Sequence, residues 1–289
     1  MKKVLKKFFT KLGVWSTARK IAIKIGIVKQ KSPLEKYKNI DEWSLKYRGL
    51  NLRYDTSDSY SKKWFFPRYD NNRVHEPLAT DIFLDNIKED STVLDIGGHL
   101  GYFSCISGTL VHKGQVHVFE VDPKCLRLID SNLEKNKLNN VTVHNYAVSD
   151  TTGSIRIPQN ENPNPSLIID SEPTEHYLEV ESLRIDDFLS EYGIQPDFIK
   201  IDIEGAEYKA LKGMQKYLNK NHPIILVEVH VEILKKHFNT NYLDLIQFLE
   251  ICGYRLQEVE HRNEKGQMRE IDLNSKLEGN TMLLCTKSV

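Results

Sequence analysis

Acidic and basic side chains crowd two short stretches of the sequence, "KIDIEGAE" and "VEVH". Lys200 and Asp202 are two residues apart, as are Glu228 and His230, so in extended strands each pair points to one face. Carboxylate and imidazole groups at such positions can accept a proton from a hydroxyl group. Asp202, Glu228 and His230 are therefore the candidate catalytic residues.

The same three residues are the candidates for a metal site. Together, Asp202, Glu228 and His230 would offer oxygen and nitrogen ligands to a hard divalent cation. Without a metal, His230 suits the role of general base, because its ordinary pKa lies near the working pH. A purely structural role, in which Glu228 and His230 are hydrogen-bonded into the fold, stays open as well.

A glycine turn, "DIGGHLG", follows a short apolar strand. Gly97, Gly98 and Gly101 let the backbone turn sharply and come close to a ligand. The dinucleotide-binding fingerprint fails here, because it needs a glycine where Ile96 stands. Asp95 at the strand end would repel a pyrophosphate, and it suits a ligand with a positive charge.

Glu120 ends the next strand, 19 residues after Gly101. A carboxylate at that place can accept hydrogen bonds from both ribose hydroxyls. An adenosine that carries a sulfonium and an amino acid meets both requirements, so S-adenosylmethionine is the predicted cofactor. The alternative is a structural glycine turn in an unrelated α/β protein.

Strand-like and helix-like segments alternate from residue 92 onward. This pattern predicts a mostly parallel seven-stranded sheet with an antiparallel edge strand and helices on both faces. Within residues 92–289, the predicted cofactor-binding domain, we expect one strand in "VTVHNYAV", one helix in "EGAEYKALKGMQKYLNK" and a loop at 261–279. Residues 32–91 form a predicted lead-in region with few clear periods, irregular over 61–77 and followed by a helix that begins near Leu78.

The N-terminal arm, residues 1–31, is basic and amphipathic. Residues 1–38 hold twelve Lys or Arg residues against one acid, Glu35, so they carry +11 and the remainder −11 of a formally neutral chain. Apolar residues recur at helical spacing among the lysines, which is typical of a helix lying on an anionic membrane surface. A helix docked on its own domain, or a partly disordered tail, is the alternative.

The composition limits which cellular compartment and which binding partners we expect for the protein. The four cysteines are scattered without C-x-x-C spacing, and the apolar runs match neither a secretory signal nor a membrane span. We expect a reduced, cytoplasmic protein, held at the inner membrane surface by its arm. The acidic remainder would repel phosphates, which disfavours nucleic acid as a partner.

Seven blocks, in order over roughly residues 74–252, carry a likeness to a known family. They are "VHEP", "VLDIGGHLGYFS", "VFEVDP", "NLEKNKLNNV", "AVSDTTGSI", "SLRIDDFL" and "FIKIDIEGAEYKALKGM". With them the sequence resembles the FkbM family of S-adenosylmethionine-dependent methyltransferases. The resemblance implies a Rossmann-like class I methyltransferase fold and methyl transfer to a hydroxyl, often on a sugar or a natural product.

The family's cofactor residues carry over to the matching positions of this sequence. The resemblance implies that Asp95, Gly97 and Gly101 hold the methionine part of the cofactor. It implies further that Glu120 takes the ribose and that "AVSD" borders the adenine. The full predicted cofactor-binding set is Glu76, Asp95, Gly97, Gly98, His99, Gly101, Glu120, Val121, Ala147 and Val148.

Two positions depart from the family's usual D-x-G-A-N-x-G. Gly98 replaces Ala, a small residue for a small one, and we expect no consequence. His99 replaces Asn, and both residue types are enriched in the left-handed backbone region. We therefore expect a conformational role for His99, with its ring near the cofactor carboxylate, in preference to catalysis.

The predicted function is O-methylation of a hydroxyl on a sugar, a glycan or a related natural product. Two alternatives remain open: an RNA ribose-hydroxyl methyltransferase, and a non-catalytic cofactor-binding module in a membrane-associated glycan assembly complex. Amino-group methylation of bases is disfavoured, because "DIEGAE" stands where such enzymes carry an Asn/Asp-Pro-Pro-aromatic turn.

Overall fold

The computed structural model describes residues 32–65, 74–158, 177–263 and 265–288. The predicted basic arm lies outside the described residues, so its membrane contact stays a prediction. Within the described parts, residues 32–41 and 57–65 belong to a smaller unit, and the remainder belongs to the main unit. In the smaller unit, Lys62 Nζ lies 2.6 Å from Asp41 Oδ1 and donates to the carbonyl of Lys38 at 3.2 Å.

The strands and helices are numbered in chain order. The strands are β1 (Glu42–Tyr47), β2 (Leu50–Asp55), β3 (Thr92–Ile96), β4 (Gln115–Phe119), β5 (Val141–His144), β6 (Ala147–Val148), β7 (Gly153–Pro158), β8 (Tyr177–Leu183), β9 (Phe198–Ile201), β10 (Ile224–His230), β11 (Tyr254–Val259), β12 (Met268–Ile271) and β13 (Asn280–Lys287). The α-helices are α1 (Pro33–Tyr37), α2 (Pro77–Asn86), α3 (Tyr102–Leu110), α4 (Pro123–Asn136), α5 (Ile185–Tyr192), α6 (Glu207–Gly213), α7 (Gln215–Asn221), α8 (Val231–Phe238) and α9 (Tyr242–Ile251); Ser61–Phe65 forms a π-helical turn.

One sheet of the main unit has the strand order β12-β11-β13-β10-β9-β3-β4-β5. The run from β10 to β5 is parallel, and β13 pairs antiparallel with both β10 and β11. The predicted mostly parallel seven-stranded sheet is therefore confirmed, and β12 adds a short antiparallel strand to its edge. That strand lies in the segment 261–279, which we predicted as a loop.

The central strands are buried on both faces, as expected for a parallel sheet covered by helices. All four residues of β9 are buried, and so are six of the seven residues of β10. Leu94, Ile199 and Val227 lie in one apolar core. Lys200 of β9 differs from its apolar neighbours, because it is a charged residue that is buried within this core strand. A buried charge at this place points to the carboxyl ends of the strands as the site.

Two predicted elements are each divided in two. The segment "VTVHNYAV" holds both β5, in the main sheet, and β6, which pairs with β8 in a separate three-stranded sheet. The predicted long helix after β9 is broken at Met214 into α6 and α7. Close packing at Gly213 accompanies the break, because a Cβ there would lie 2.0 Å from the carbonyl oxygen of Ser149.

The lead-in region contains a β-hairpin in a stretch where the sequence shows few clear periods and we predicted no element. Strands β1 and β2 pair antiparallel and alternate between exposed and buried residues. The turn between them places Arg48 at φ 44° and Gly49 at φ 89°, values typical of a tight hairpin turn. Tyr54 is fully buried and donates from its hydroxyl to the carbonyl of Tyr102 at 3.0 Å, so the hairpin packs on the start of α3.

Among the described residues, none of the helices has both the length and the apolar character that crossing a membrane requires.

Candidate functional site

The glycine turn after β3 brings its backbone against the end of β9. Gly97 has φ 89°, and a Cβ on it would lie 1.9 Å from the carbonyl oxygen of Asp202. The amides of Gly97 and Gly98 donate to the carbonyl of Phe119 at 2.9 and 3.2 Å. His99 has φ 52°, the left-handed conformation expected for it. Position 97 therefore requires glycine for two reasons, its conformation and the close approach of Asp202.

Gly98 is closely packed against two side chains. A Cβ at this position would lie 2.4 Å from Cγ1 of Val118 and 3.0 Å from Cδ1 of Ile129. In this chain an added methyl group at position 98 would therefore require these side chains to move. That glycine in place of the family's alanine has no consequence stays a prediction.

Glu120 is held by backbone amides from two turns. Its Oε2 accepts from the amide of His99 at 2.7 Å, and its Oε1 accepts from the amides of Val121 and Asp122 at 2.7 and 2.9 Å. Burial raises the pKa of the Glu120 carboxyl to about 7, although these amides oppose the shift. The carboxylate is thus fixed beside the glycine turn, and the backbone of His99, by donating to it, has a structural part in the arrangement.

Asp95 is fully buried and has one oxygen to spare. Its Oδ2 accepts from the hydroxyl of Ser104 at 2.6 Å. Its Oδ1 lies 3.8 Å from Nζ of Lys200 and has no hydrogen-bond partner in the described part of the chain. Burial raises the pKa of the Asp95 carboxyl. An unpartnered oxygen at the glycine turn is a ready acceptor for an ammonium group of a ligand.

Lys200 joins the ends of β3 and β9 electrostatically. Its Nζ lies 3.6 Å from Oδ2 of Asp202 and 5.2 Å from the centre of the Phe103 ring. Burial alone would lower the pKa of Lys200, but Asp202 and Asp95 raise it above its usual value. Sequence spacing had placed Lys200 and Asp202 on one face, and the structure brings their charged groups together.

His230, at the end of β10, is enclosed by carboxylates. Its Nδ1 lies 2.8 Å from Oε1 of Glu207, and its Nε2 lies 3.2 Å from Oε2 of Glu204 and 3.9 Å from Oδ1 of Asp202. Burial would lower the pKa of His230, but the hydrogen bond and charge of Glu207, with Asp202 and Glu204, raise it to about 10. In this environment the charged imidazolium form is favoured, with Nδ1 hydrogen-bonded to Glu207 and Nε2 facing the carboxylates of Glu204 and Asp202. The role of general base for His230 stays a prediction, and this geometry favours an electrostatic one.

The turn after β9 stores backbone strain. Glu204 has φ 52° and Gly205 has φ 108°, and the amide of Gly205 donates to Oε1 of Glu207 at 2.8 Å. A non-glycine residue in the left-handed region costs roughly 1–3 kcal/mol, and such residues cluster at functional sites. Burial raises the pKa of the Glu204 carboxyl to about 7. The turn therefore holds the carboxylate of Glu204 against His230 by means of a strained backbone.

Glu228 faces a residue pair that sequence reasoning did not single out. Its Oε1 accepts from Nη2 of Arg262 at 2.6 Å and lies 3.7 Å from Nε2 of His261. Burial would raise the pKa of Glu228, but His261, His230 and Arg262 lower it to about 2. Local sequence carries no signal for His261 or Arg262, because both follow β11 in a segment that reads as an ordinary polar loop.

Glu76 completes this side of the site. It has φ 45°, and its Oε1 lies 3.8 Å from Nε2 of His75 and 3.9 Å from Nε2 of His261. Burial and the nearby charge of Glu228 raise the pKa of the Glu76 carboxyl to about 7. Its Oε2 is buried without a hydrogen-bond partner among the residues described.

Most of the predicted residues gather at one edge of the main sheet. Val121, beyond Glu120, packs against the apolar cluster that contains Ala147. Val148 lies in the same apolar core as Phe119 of β4. Two groups offer ligand atoms that all lie within 4.8 Å of one another: the predicted Asp202, Glu228 and His230, and a second group of Glu76, Glu228 and His261.

The sequence agrees with one family model over most of this arrangement. Residues 95–256, more than half of the chain, match the model of the methyltransferase FkbM domain. The chain belongs to the FkbM methyltransferase family. The match begins at Asp95 and ends before His261, so the FkbM domain includes the glycine turn, Glu120 and the turn after β9 but not the segment after β11.

Two curated relatives show how far the likeness extends. The chain is similar to the hexuronic acid methyltransferase AglP of Haloferax volcanii, with 25% identity over 155 residues, 53% of this chain and 61% of that protein. It is also similar to methyltransferase sdnD of Sordaria araneosa, with 24% identity over 177 residues, 50% of this chain and 68% of that protein. The chain thus matches less than two thirds of the length of AglP.

A solved structure has the same architecture. The crystal structure of an FkbM methyltransferase from Methylobacillus flagellatus KT superposes with a TM-score of 0.50 and 20% identity, covering 79% of this FkbM chain and 55% of the other. The predicted Rossmann-like class I methyltransferase fold is therefore confirmed.

Proposed function

We propose that this FkbM chain is an S-adenosylmethionine-dependent O-methyltransferase that acts on a hydroxyl of a sugar, a glycan or a related natural product. The observation that carries the proposal is the placement of Glu120, whose carboxylate is fixed by three backbone amides beside the close-approach turn at Gly97. A fixed carboxylate next to the half-buried backbone of a glycine turn fits a ribose diol.

The residues present fit the cofactor at both of its ends. The orphaned Oδ1 of Asp95 would accept a hydrogen bond from the ammonium of the methionine part. Gly97, where no Cβ fits, lets the backbone come close, and Glu120 would take the ribose hydroxyls. When bound, S-adenosylmethionine supplies an electrophilic methyl group on a sulfonium, and the acidic site favours that positive charge.

Asp202 is the best-placed of the candidate bases. Its side chain is 28% exposed, whereas those of Glu228 and His230 are 4% and 1% exposed. Burial raises the pKa of Asp202, which makes its carboxylate a stronger base than an ordinary one. Lys200 and His230 lie on either side of Asp202 and hold it in place, so we assign proton acceptance to Asp202 and orientation to its two neighbours.

The proposal of a sugar or glycan acceptor is based on one relative and on the charge of the chain. AglP carries the name of a hexuronic acid methyltransferase, and this chain is 25% identical to it over 155 residues. Methyl transfer to a sugar hydroxyl needs a base and polar groups that orient the hydroxyl. The carboxylates and the imidazole at this edge of the sheet can supply both. The acidic balance of residues 39–289 disfavours a polyanionic acceptor.

Calorimetric titration with S-adenosylmethionine tests the cofactor half of the proposal. Asp95→Asn and Glu120→Gln each remove a charge-assisted interaction, so we expect about 10- to 100-fold weaker binding. The matched control is Asp186→Asn, a buried carboxylate that also accepts two backbone amides, at 3.1 and 2.9 Å, away from the turn. Equal affinities in all four proteins would refute the assignment.

Methyl transfer to a panel of sugars and lipid-linked glycans, followed by mass spectrometry, tests the acceptor half. We expect a mass gain of one methyl group on a hydroxylated sugar. Cofactor binding without transfer to any hydroxyl acceptor would instead favour the non-catalytic alternative.

A further inference from the structure

Glu76, Glu228 and His261 form a second cluster beside the proposed cofactor site. Nε2 of His261 lies 3.7 Å from Oε1 of Glu228 and 3.9 Å from Oε1 of Glu76. All three side chains are buried, at 7%, 4% and 4% exposure. We propose that this cluster, the Glu76–Glu228–His261 cluster, binds a divalent cation.

The first argument is that two of its atoms are buried without partners. Neither Oε2 of Glu76 nor Nε2 of His261 has a hydrogen-bond partner within the described ranges. A buried polar atom left in this way costs about 1–3 kcal/mol, and native proteins rarely tolerate one without a reason. The two atoms belong to neighbouring side chains, since Nε2 of His261 lies 3.9 Å from Oε1 of Glu76, and this indicates a bound group between the two residues.

The second argument is the chemical type of the atoms that converge. Nδ1 of His261 lies 3.3 Å from the carbonyl of Val259, the partner that would fix its proton on Nδ1. Nε2 points at the two carboxylates, where it holds either a proton or a cation. Without a positive charge on or beside Nε2, the two carboxylates and the imidazole lone pair repel each other. A divalent cation removes this conflict and uses all three as ligands.

The third argument is the charge of the whole site. Its basic groups are Lys200, His230 and Arg262, and its carboxyl groups are Glu76, Asp95, Asp202, Glu204, Glu207 and Glu228. When all of these are ionised and His261 is neutral, as a ligand imidazole is, negative charge exceeds positive charge by three. A sulfonium ligand alone would leave much of that excess, and a divalent cation offsets it.

The predicted group of Asp202, Glu228 and His230 is less suited to a metal. Both ring nitrogens of His230 already face carboxylate oxygens within 3.2 Å, so neither has a lone pair to give. Arg262 contacts Glu228 in the second cluster too, but its side chain is 57% exposed and can turn outward into solvent. The structure therefore favours His261 over His230 as the nitrogen ligand.

Two carboxylates and one imidazole suit a cation that accepts hard oxygen ligands and tolerates nitrogen, such as Mn²⁺. Three protein ligands leave coordination positions open, which acceptor hydroxyls can fill. That last step rests on the proposed function. The cation site itself does not, because its occupancy can be measured without cofactor.

Electron paramagnetic resonance of Mn²⁺ added to the chelator-treated full chain tests the site. We expect one saturable Mn²⁺ per chain, with spin-echo modulation from a coordinated imidazole nitrogen. His261→Gln should abolish that modulation, and Glu76→Gln should weaken Mn²⁺ binding by about tenfold or more. His230→Gln should keep the modulation. So should His112→Gln, which alters an exposed histidine 3.1 Å from Glu89.

Absence of saturable Mn²⁺ binding would overturn the proposal, as would modulation that survives His261→Gln and vanishes in His230→Gln. Circular dichroism confirms that each variant is folded, and Glu76→Gln provides an independent test if His261→Gln does not fold. S-adenosylmethionine affinity, measured on the same metal-free samples, distinguishes failure of the cation site from failure of the proposed enzyme.

Discussion

Nδ1 of His230 lies 2.8 Å from Oε1 of Glu207, and the two side chains are 1% and 0% exposed. This contact joins the end of β10 to the first turn of α6. The same Glu207 oxygen accepts from the amide of Gly205, so one carboxylate fixes both the imidazole and the strained turn before the helix.

Removing the charge of Glu207 should therefore destabilise the protein strongly. Glu207→Gln leaves a buried imidazolium without its closest counter-ion, and we expect a loss of about 3–5 kcal/mol in the free energy of unfolding. Urea denaturation measures it. Asp187→Asn, at an exposed carboxylate 3.6 Å from Arg184, should change stability by less than about 0.5 kcal/mol. A similar small loss for both variants would contradict a tightly coupled pair.

A methyl group at position 97 should disrupt the turn. Gly97→Ala combines a left-handed φ with a Cβ only 1.9 Å from the carbonyl oxygen of Asp202, so we expect a loss of more than about 3 kcal/mol and of cofactor affinity. Gly193→Ala has the same kind of φ, 67°, with open space around its Cβ, and should cost only about 1 kcal/mol. Thermal melting compares the two, and equal losses would exclude the steric argument.

The conformational role of His99 is testable by choice of replacement. His99→Asn keeps a residue type that tolerates φ 52°, and should retain stability, cofactor affinity and most of the turnover. His99→Val places a β-branched residue there and should cost about 1–2 kcal/mol. A fall of several orders of magnitude in the turnover of His99→Asn, with unchanged cofactor binding, would return His99 to the candidate bases.

The proton acceptor is tested by a kinetic comparison. Asp202→Asn should lower kcat by about 10²- to 10⁴-fold with a much smaller effect on S-adenosylmethionine affinity. Because burial raises the pKa of Asp202, activity of the parent protein should rise with pH through that raised pKa, and the variant should lose this limb. Asp186→Asn is the control. An unchanged kcat and pH profile in Asp202→Asn would exclude this base.

A histidine pair on β4 and β5 should make stability depend on pH. Nδ1 of His117 lies 3.0 Å from Nε2 of His144. Burial, with His144, lowers the pKa of His117 to about 4, and burial also lowers the pKa of His144. Unfolded histidine titrates near about pH 6.5, so below that pH the unfolded state takes up protons first. The contribution of the pair to stability is thus present above about pH 6.5 and is lost as the pH falls toward 4.

The double variant His117→Leu/His144→Phe should show a flatter decline between about pH 6.5 and 4 than the parent protein. Its phenylalanine would stack where His144 now lies, 4.9 Å from the ring of Phe119. Denaturation at several pH values measures the difference between parent and variant, which separates the pair from buried carboxyls such as Glu120. His112→Gln should keep the parent's slope, and identical slopes in all three proteins would contradict the prediction.

The parallel core and one edge of the site were accessible from sequence. Apolar runs such as "PIILVEV" between turn residues mark strands buried on both faces, and parallel strands that end at one edge bring Asp95, Asp202 and Glu228 together. The hairpin of β1 and β2 was not predicted, although its residues alternate strictly around Arg48 and Gly49. Its many polar and charged residues hid that pattern among apparently irregular segments.

The rest of the site depends on tertiary contacts that no local pattern encodes. His261 reaches Glu76 and Glu228 only because β11 pairs with β13, which in turn pairs with β10. The protonation of His230 depends on Glu207, the first residue of α6. From the sequence, Glu207 looks only like one more acidic residue in the first turn of a helix. Residue types alone predicted the groups present, and the sheet determined which of them face each other.

The position of β13 has a consequence for biogenesis. In chain order it follows every other described strand, yet it lies between β10 and β11. During translation, β10 therefore emerges with an unpaired edge and keeps it until residues 280–287 have left the ribosome. A nascent chain paused before that point presents an apolar strand edge to other chains, so chaperone contact is most needed in this interval.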